Sequence, residues 1–213
     1  MLKLYTSDAS PFGSRVLIAL RAKQIEIEKI HVSGEALKMP DYLAINPIGR
    51  MPVLLDEQGL AVPESETILR YLEDRYPDPS LQPASPADRA RINTLIRMTD
   101  NYVMAPVIRL FAQLDPAKRD PATVLTEVDH WKNGLAAIAH FMVGPLPTAP
   151  AGLTLADCVL PPSLHLSQLI AGMLDLRDLL ASHPVLADYY RKMRNNPVVG
   201  CVLDDLDRAQ ASH

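Results

Sequence analysis

The 213-residue chain is poor in cysteine and in aromatic residues, and neither sign of charge is in large excess. Its two cysteines, Cys158 and Cys201, form no CxxC pair and stand in no His/Cys cluster with metal-ligand spacing. A disulfide scaffold and a zinc-stapled fold are therefore excluded, and no metal site is expected. The two thiols read as free and partly buried in a reducing cytoplasm. Lys plus Arg number 21 against 25 Asp plus Glu, a net charge of −4. Residues 1–80 carry 9 basic and 12 acidic side chains and the remainder 12 and 13, so neither part offers a basic surface for nucleic acid or an anionic membrane. No apolar run approaches the roughly 18 residues of a membrane span. The opening MLKLYTSDASPF lacks the apolar core of a signal peptide.

What is present is the composition of a globular protein, with 48% hydrophobic and 22% charged residues. Proline is abundant, 19 residues against a usual share of about 5%. It falls mostly between apolar periodic segments and so divides the chain. Leu2 to Tyr5 reads as a short strand, and Thr6 to Pro11 as a polar loop. Pro11 suits the first turn of a helix, and Phe12, Val16, Leu17 and Leu20 recur at helical spacing up to Lys23. Ile25, Ile27 and Ile30 suggest a second strand, and Pro40 to Asn46 one or two helical turns. Met51 to Leu55 and Leu60 to Val62 flank a Gln58-Gly59 turn as two further strands. Ser65 to Tyr76 is helical. Residues 1–76 thus form a mixed α/β domain. Residues 77–86, with four prolines, form a linker. Residues 87–213 form an all-α domain, with helical patterns over 87–114, 123–142, 154–173, 184–195 and 197–207.

Three local features carry chemistry. Ser10-Pro11-Phe12 places a hydroxyl at the start of a helix, where unpaired N–H groups attract anions. Ser10 can cap that helix, or it can donate to a thiolate and lower its pKa. In Asn46-Pro47-Ile48-Gly49-Arg50-Met51-Pro52-Val53 a proline opens a strand, and a cis Met51–Pro52 bond is predicted. Met51 can then offer its main chain to an extended peptide; a rigid turn without a ligand is the plainer reading. In Pro63-Glu64-Ser65-Glu66, Ser65 caps a helix. With the adjacent N–H groups it also suits a carboxylate, while Glu64 suits an ammonium. A thiolate site, a main-chain clamp and an α-amino-acid clamp in one small domain together describe γ-Glu-Cys-Gly.

Over its whole length the chain resembles the soluble glutathione transferases. Arg50-Met51-Pro52-Val53-Leu54, Glu64-Ser65 with Ile68 and Tyr71-Leu72, and Ser10-Pro11-Phe12 with Arg15-Val16 and Ile18-Ala19-Leu20 carry the likeness. It is nearest to bacterial members with Ser-Pro-Phe or Ser-Pro-Tyr, and more distant from the omega and zeta classes. The resemblance implies a thioredoxin-like N-terminal domain followed by an all-α domain. It implies glutathione as co-substrate, a small apolar electrophile as its partner in reaction, and a homodimer. Ser10 is the implied thiolate-stabilising residue, preferred over Tyr5 in the first strand. Met51, Pro52, Glu64 and Ser65 are the implied glutathione contacts. Lys38 is placed like a lysine that binds the glycine carboxylate in omega-like members; a solvated loop lysine is the alternative. Asp100 is placed to reach the ligand's ammonium from a partner subunit. Tyr102, Met104, Val107, Ile108 and Phe111 line either an electrophile pocket or the core. With no cysteine at position 10 or 13, reduction through a mixed disulfide is unsupported. Thr154 and Asp157 form a capping box, with Leu153 as a possible staple, whose role is folding. Pro161-Pro162 should kink the helix that follows. His31, His130, His140 and His165 read as structural. Two other functions fit: a non-catalytic binding or regulatory protein that kept the fold, and a glutathione-dependent isomerase of a dicarboxylate, which wants cationic pocket residues.

Overall fold

The computed structural model describes residues 1–176 and 179–211; the last two residues of the expected helical domain lie outside that range. Strands β1 (Lys3–Thr6), β2 (Glu28–His31), β3 (Val53–Leu55) and β4 (Ala61–Pro63) form one sheet in the order β2-β1-β3-β4. β1 and β2 run parallel, and the other two pairs antiparallel. Side chains alternate across a strand, so the register separates two faces. Leu4, Leu54 and Val62 stand in line on one face, and Tyr5 and Val53 on the other.

The first face lies under helices α1 (Pro11–Ala22) and α3 (Ser65–Arg75), whose Val16, Leu20, Ile68 and Leu72 join Leu4 and Leu54 in the main core. The second face carries a smaller cluster of Val32, Tyr42 and Val53, in which Tyr42 comes from the short helix α2 (Pro40–Ile45). A 3₁₀ turn, Gly34–Lys38, precedes α2. The strand expected from Ile25 begins only at Glu28. Gln24 turns left-handed after α1, and the Ile25 N–H bonds back to the Leu20 carbonyl, so Ile25 and Ile27 pack into the core from a loop.

The remainder is helical: α4 (Pro86–Met98), α5 (Ala105–Phe111), α6 (Pro121–Phe141), α7 (Leu155–Met173), α8 (Pro184–Arg194) and α9 (Pro197–Ala211). The pattern expected as one helix over 87–114 is interrupted by a π-helical segment, Thr99–Met104. Its wider turn shifts the facing of everything after it. Gly134 of α6 sits so close that a Cβ there would lie 2.0 Å from the Tyr102 carbonyl oxygen. α7 is buried along most of its length, and Pro161 and Pro162, where a kink is expected, lie inside this one helix. Its start carries the predicted capping box: Thr154 N–H donates to Asp157 Oδ2 at 2.7 Å and Asp157 N–H to Thr154 Oγ1 at 3.4 Å. Leu153 is buried beside it.

A buried ion pair within the first part holds the segment that leads out of it. Lys23 Nζ lies 2.9 Å from Glu73 and also donates to the carbonyls of Tyr76 and Pro79, at 2.6 and 2.8 Å. Glu73 accepts in turn from Ser80 and from the Leu81 N–H. Cys158 is buried, with its thiol pKa pushed up by burial, whereas Cys201 is exposed rather than partly buried. No helix among the described residues is long and apolar enough to cross a membrane, and no group of three or more His, Cys, Asp or Glu could hold a metal ion.

Candidate functional site

Ser10 ends the loop after β1 in extended geometry and caps α1, with Pro11 at the first helical position. Its Oγ accepts the Gly13 N–H at 3.1 Å. Its N–H donates to the Ser7 carbonyl, and its own carbonyl accepts from Ser14. The capping bond uses a lone pair, while the hydroxyl proton has no acceptor among the described residues. Capping and donation to a thiolate are therefore compatible, since one oxygen serves both. Gly13 is required here, because a Cβ would lie 2.0 Å from Thr6 Oγ1 of β1.

The turn before β3 is held by Arg50, whose carbonyl accepts from Tyr42 and from the Asn46 amide, both at 2.7 Å. The Met51–Pro52 bond is cis, as the sequence predicts, and a second cis bond not anticipated from the sequence lies at Asp78–Pro79. Among the described residues Met51 makes no turn or loop hydrogen bond through its main chain. β4 then leads into Glu64, whose φ of 67° is left-handed, a conformation that costs a non-glycine residue about 1–3 kcal/mol. This bend sets Glu64 just before Ser65, the first residue of α3.

These elements converge. A cleft of about 80 Å³ is lined by Phe12, Asn46, Arg50, Met51, Pro52, Glu64, Ser65 and, from α5, Ile108. Four of the expected contacts thus share one cleft, with Phe12 beside them two residues after Ser10. Lys38 does not join them: its ammonium pairs with Glu35 at 2.9 Å, and both side chains are exposed. Tyr5 packs edge-on against Tyr42 in the small cluster on the opposite sheet face from α1. The expected apolar stripe is split. Met104 and Val107 are core, Ile108 lines the cleft, and Tyr102 lies on a separate 450 Å³ cavity with Met98, Pro106 and Ala137.

Two residues gain a place that their spacing did not suggest. Arg15 is wholly buried, and its guanidinium reaches Asp100 at 2.7 Å, Ser163 of α7 at 2.8 Å and Ser65 at 3.4 Å. Burial lowers its pKa while Asp100 opposes the shift; an arginine remains charged regardless. Asp100, in the π segment, is thus brought near Ser65 of its own chain. The other new feature is His165, whose ring nitrogens meet Tyr190 and Gln210, both at 3.1 Å. Gln210 donates to the Ala9 carbonyl, so a 560 Å³ cavity lined by His165, Tyr190, Arg194 and Gln210 adjoins the loop ahead of Ser10.

A thioredoxin-like sheet joined to an all-helical part, with an open cleft at a cis-proline turn, places the molecule in the class of two-part glutathione transferase folds. The sequence model for the glutathione S-transferase N-terminal domain matches residues 4–80. A maleylacetoacetate isomerase of Pseudomonas aeruginosa is 32% identical over 205 residues, covering 86% of this chain and 92% of its own. A glutathione S-transferase of Methylobacterium radiotolerans, solved in complex with glutathione sulfonate, superposes with a TM-score of 0.78 at 26% identity, covering 94% of this chain and 93% of its own. A glutathione transferase of Phanerochaete chrysosporium, solved with oxidized glutathione, reaches 0.84 at 19% identity over 99% of this chain and 96% of its own, a likeness of fold alone. The chain belongs to the glutathione S-transferase family.

Proposed function

We propose that the protein binds glutathione along this cleft and uses its thiolate as a nucleophile toward a small apolar electrophile. The observation that carries the reading is the convergence of Met51, Pro52, Glu64 and Ser65 on one cleft two residues from a helix-capping serine with an uncommitted proton. A cleft of 80 Å³ cannot enclose a tripeptide, so the ligand lies along it in extended form. Its γ-glutamyl carboxylate meets Ser65 and the first N–H groups of α3, and its ammonium meets Glu64. Its cysteine main chain pairs with Met51, like one residue of an added strand. The thiol then lies toward Ser10. A free thiol has a pKa near 8.5, and a drop of about 2 units makes it mostly ionised at neutral pH. The Ser10 hydroxyl and the start of α1 supply that drop. Lys38 would contribute only by leaving Glu35.

A second reading, glutathione-dependent isomerisation of a dicarboxylate, is favoured by the name of the Pseudomonas relative; Arg194 on the 560 Å³ cavity would contribute only by leaving Asp204 and Asp207, with which it pairs at 2.9 and 3.0 Å. Two assays on the native chain decide. With glutathione present, consumption of an aryl chloride supports conjugation, and conversion of maleylacetoacetate supports isomerisation. Neither activity, with glutathione still bound, would leave the non-catalytic binding protein.

The division at 1–76, 77–86 and 87–213 belongs to the same proposal, with Lys23 gripping the carbonyls of Tyr76, at the end of the first domain, and of Pro79 in the linker. So do a homodimer, which sedimentation of the native chain tests, and a reducing cytoplasm, suggested by two unpaired cysteines.

A further inference from the structure

One hydroxyl in the helical part departs from its neighbours. Thr94, Thr99, Thr126 and Ser163 each donate to the carbonyl four residues earlier, the common partner of a hydroxyl inside a helix. Ser167, one turn beyond Ser163 on α7, is 2% exposed, and its Oγ has no partner among the described residues. Leaving a buried polar group unpaired is costly, and an alanine would fill the same space without that cost. Ser167 lines a cavity of about 250 Å³. The walls are Leu135 of α6, Ala171 of α7 and three leucines that follow α7, Leu176, Leu179 and Leu180.

The end of α7 builds the roof of this cavity. Asp175 turns left-handed, at φ 55°, where a helix commonly ends on glycine. Its N–H bonds to the Gly172 carbonyl at 3.3 Å, and the Leu176 N–H reaches back to the Ala171 carbonyl at 2.8 Å. This paired closure folds the chain back so that Leu176 and Ala171 line the same space. The nearby glycine stands instead at 172, inside α7. At Gly13, Gly134 and Gly200 an added Cβ would lie 2.0, 2.0 and 2.3 Å from another atom, so packing demands glycine there. At Gly172 it would meet nothing within 4 Å. Gly172 and Gln168 lie one turn apart, are exposed, and both line the cavity, so its mouth lies between them.

We infer that this cavity binds a small uncharged ring-sized molecule bearing one hydroxyl, of which phenol is the simplest. An apolar cavity of about 150 Å³ accommodates benzene, so this one has room for a substituted ring. No charged side chain lines it, and a carboxylate or ammonium would lose its hydration there without a partner. Ser167 both donates and accepts, and one ligand hydroxyl can satisfy it. No acid or base lines the cavity to activate Ser167, so the site binds its ligand without reacting with it. The cavity shares no residue with the cleft at Met51 and Pro52, and binding there does not depend on glutathione.

The test is titration of the isotope-labelled full chain with phenol, without glutathione, followed by nuclear magnetic resonance of the backbone amides of Ser167, Ala171 and Leu176. Phenol should shift these signals saturably with a roughly millimolar Kd. Benzene should bind about tenfold more weakly for want of the hydroxyl, and benzoate should not bind. Ser167→Ala should bring phenol and benzene within about twofold of each other. Ala171→Leu, which fills the cavity from its wall, should abolish binding of both. Gly172→Leu, which fills it from the mouth, takes its place if Ala171→Leu does not fold. Absence of saturable shifts in the native chain would leave water as the partner of Ser167 and overturn the inference. A phenol-to-benzene ratio that Ser167→Ala leaves unchanged, or binding that the filled variants retain, overturns it equally.

Discussion

Replacing Ser10 by alanine removes two things at once, and the structure separates them. The first is the cap: the Gly13 N–H loses its acceptor, a loss of about 1 kcal/mol in stability. The second is the proton offered to the ligand. A hydrogen bond to a charged group is worth about 1.5–3 kcal/mol, and one pKa unit corresponds to about 1.4 kcal/mol. The bound thiol should therefore titrate about 1–2 units higher in Ser10→Ala. Glutathione affinity at a pH where the thiol is protonated should change little, because the bond is strongest to the ionised form. Turnover at neutral pH should fall about tenfold for each unit by which the midpoint stands above the assay pH. The assay is ultraviolet titration of bound thiolate near 240 nm (roughly where thiolates absorb), read beside the rate with an aryl chloride. An unchanged midpoint and rate would refute the role of Ser10 and return it to a helix cap. Tyr5 is then a poor substitute, since it packs on Tyr42 across the sheet, and the N–H groups at the start of α1 would be left.

Lys23→Met strands the buried Glu73 carboxylate and two carbonyls, and should cost about 3–5 kcal/mol in denaturant unfolding; a loss under 1 kcal/mol would show that the pair is not needed. Asp157→Ala removes the capping-box carboxylate and the acceptor of the buried Tyr189 hydroxyl, costing about 1–2 kcal/mol for the cap and about 1–3 for the hydroxyl, read the same way. Burial lowers the pKa of His165, although Gln210 and Asp207 favour its charge. The unfolded chain therefore binds the extra proton below about pH 6.5, and this contribution to stability is full above that value and is lost as pH falls toward the folded pKa. His165→Asn should flatten the fall in melting temperature between about pH 7 and 5, and an unaltered slope would contradict it.

Much of the site is legible in the sequence because its recognition elements are local. Ser10-Pro11 and Met51-Pro52 are dipeptides whose backbone geometry follows from their own residues and the helix or strand they open, whereas the left-handed φ of Glu64 runs against its residue type and is not legible locally. The pairing of β4 back on β3 is legible from the Gln58-Gly59 turn between them, whereas the order β2-β1-β3-β4 rests on pairings between strands far apart in the chain. Arg15 was visible only as part of a helix pattern, because its partners lie 50, 85 and 148 residues away and no periodicity links them. The contact of Asp100 with Arg15 in its own chain is hidden from the sequence for the same reason. The apolar stripe from Tyr102 to Phe111 was read on regular helical spacing, and the π segment rotates Tyr102 away from Ile108. Lys38 shows the converse: its position in the chain suits a ligand carboxylate, but Glu35 three residues earlier takes its charge.

Calorimetric titration of the native chain and of Ser65→Ala with glutathione tests the central claim most directly. The account predicts saturable binding at one site per chain, weakened about tenfold by the substitution, the equivalent of about 1.4 kcal/mol for a carboxylate left short of one donor. Saturable binding that Ser65→Ala and Glu64→Ala leave unchanged, or no binding by the native chain, would contradict it.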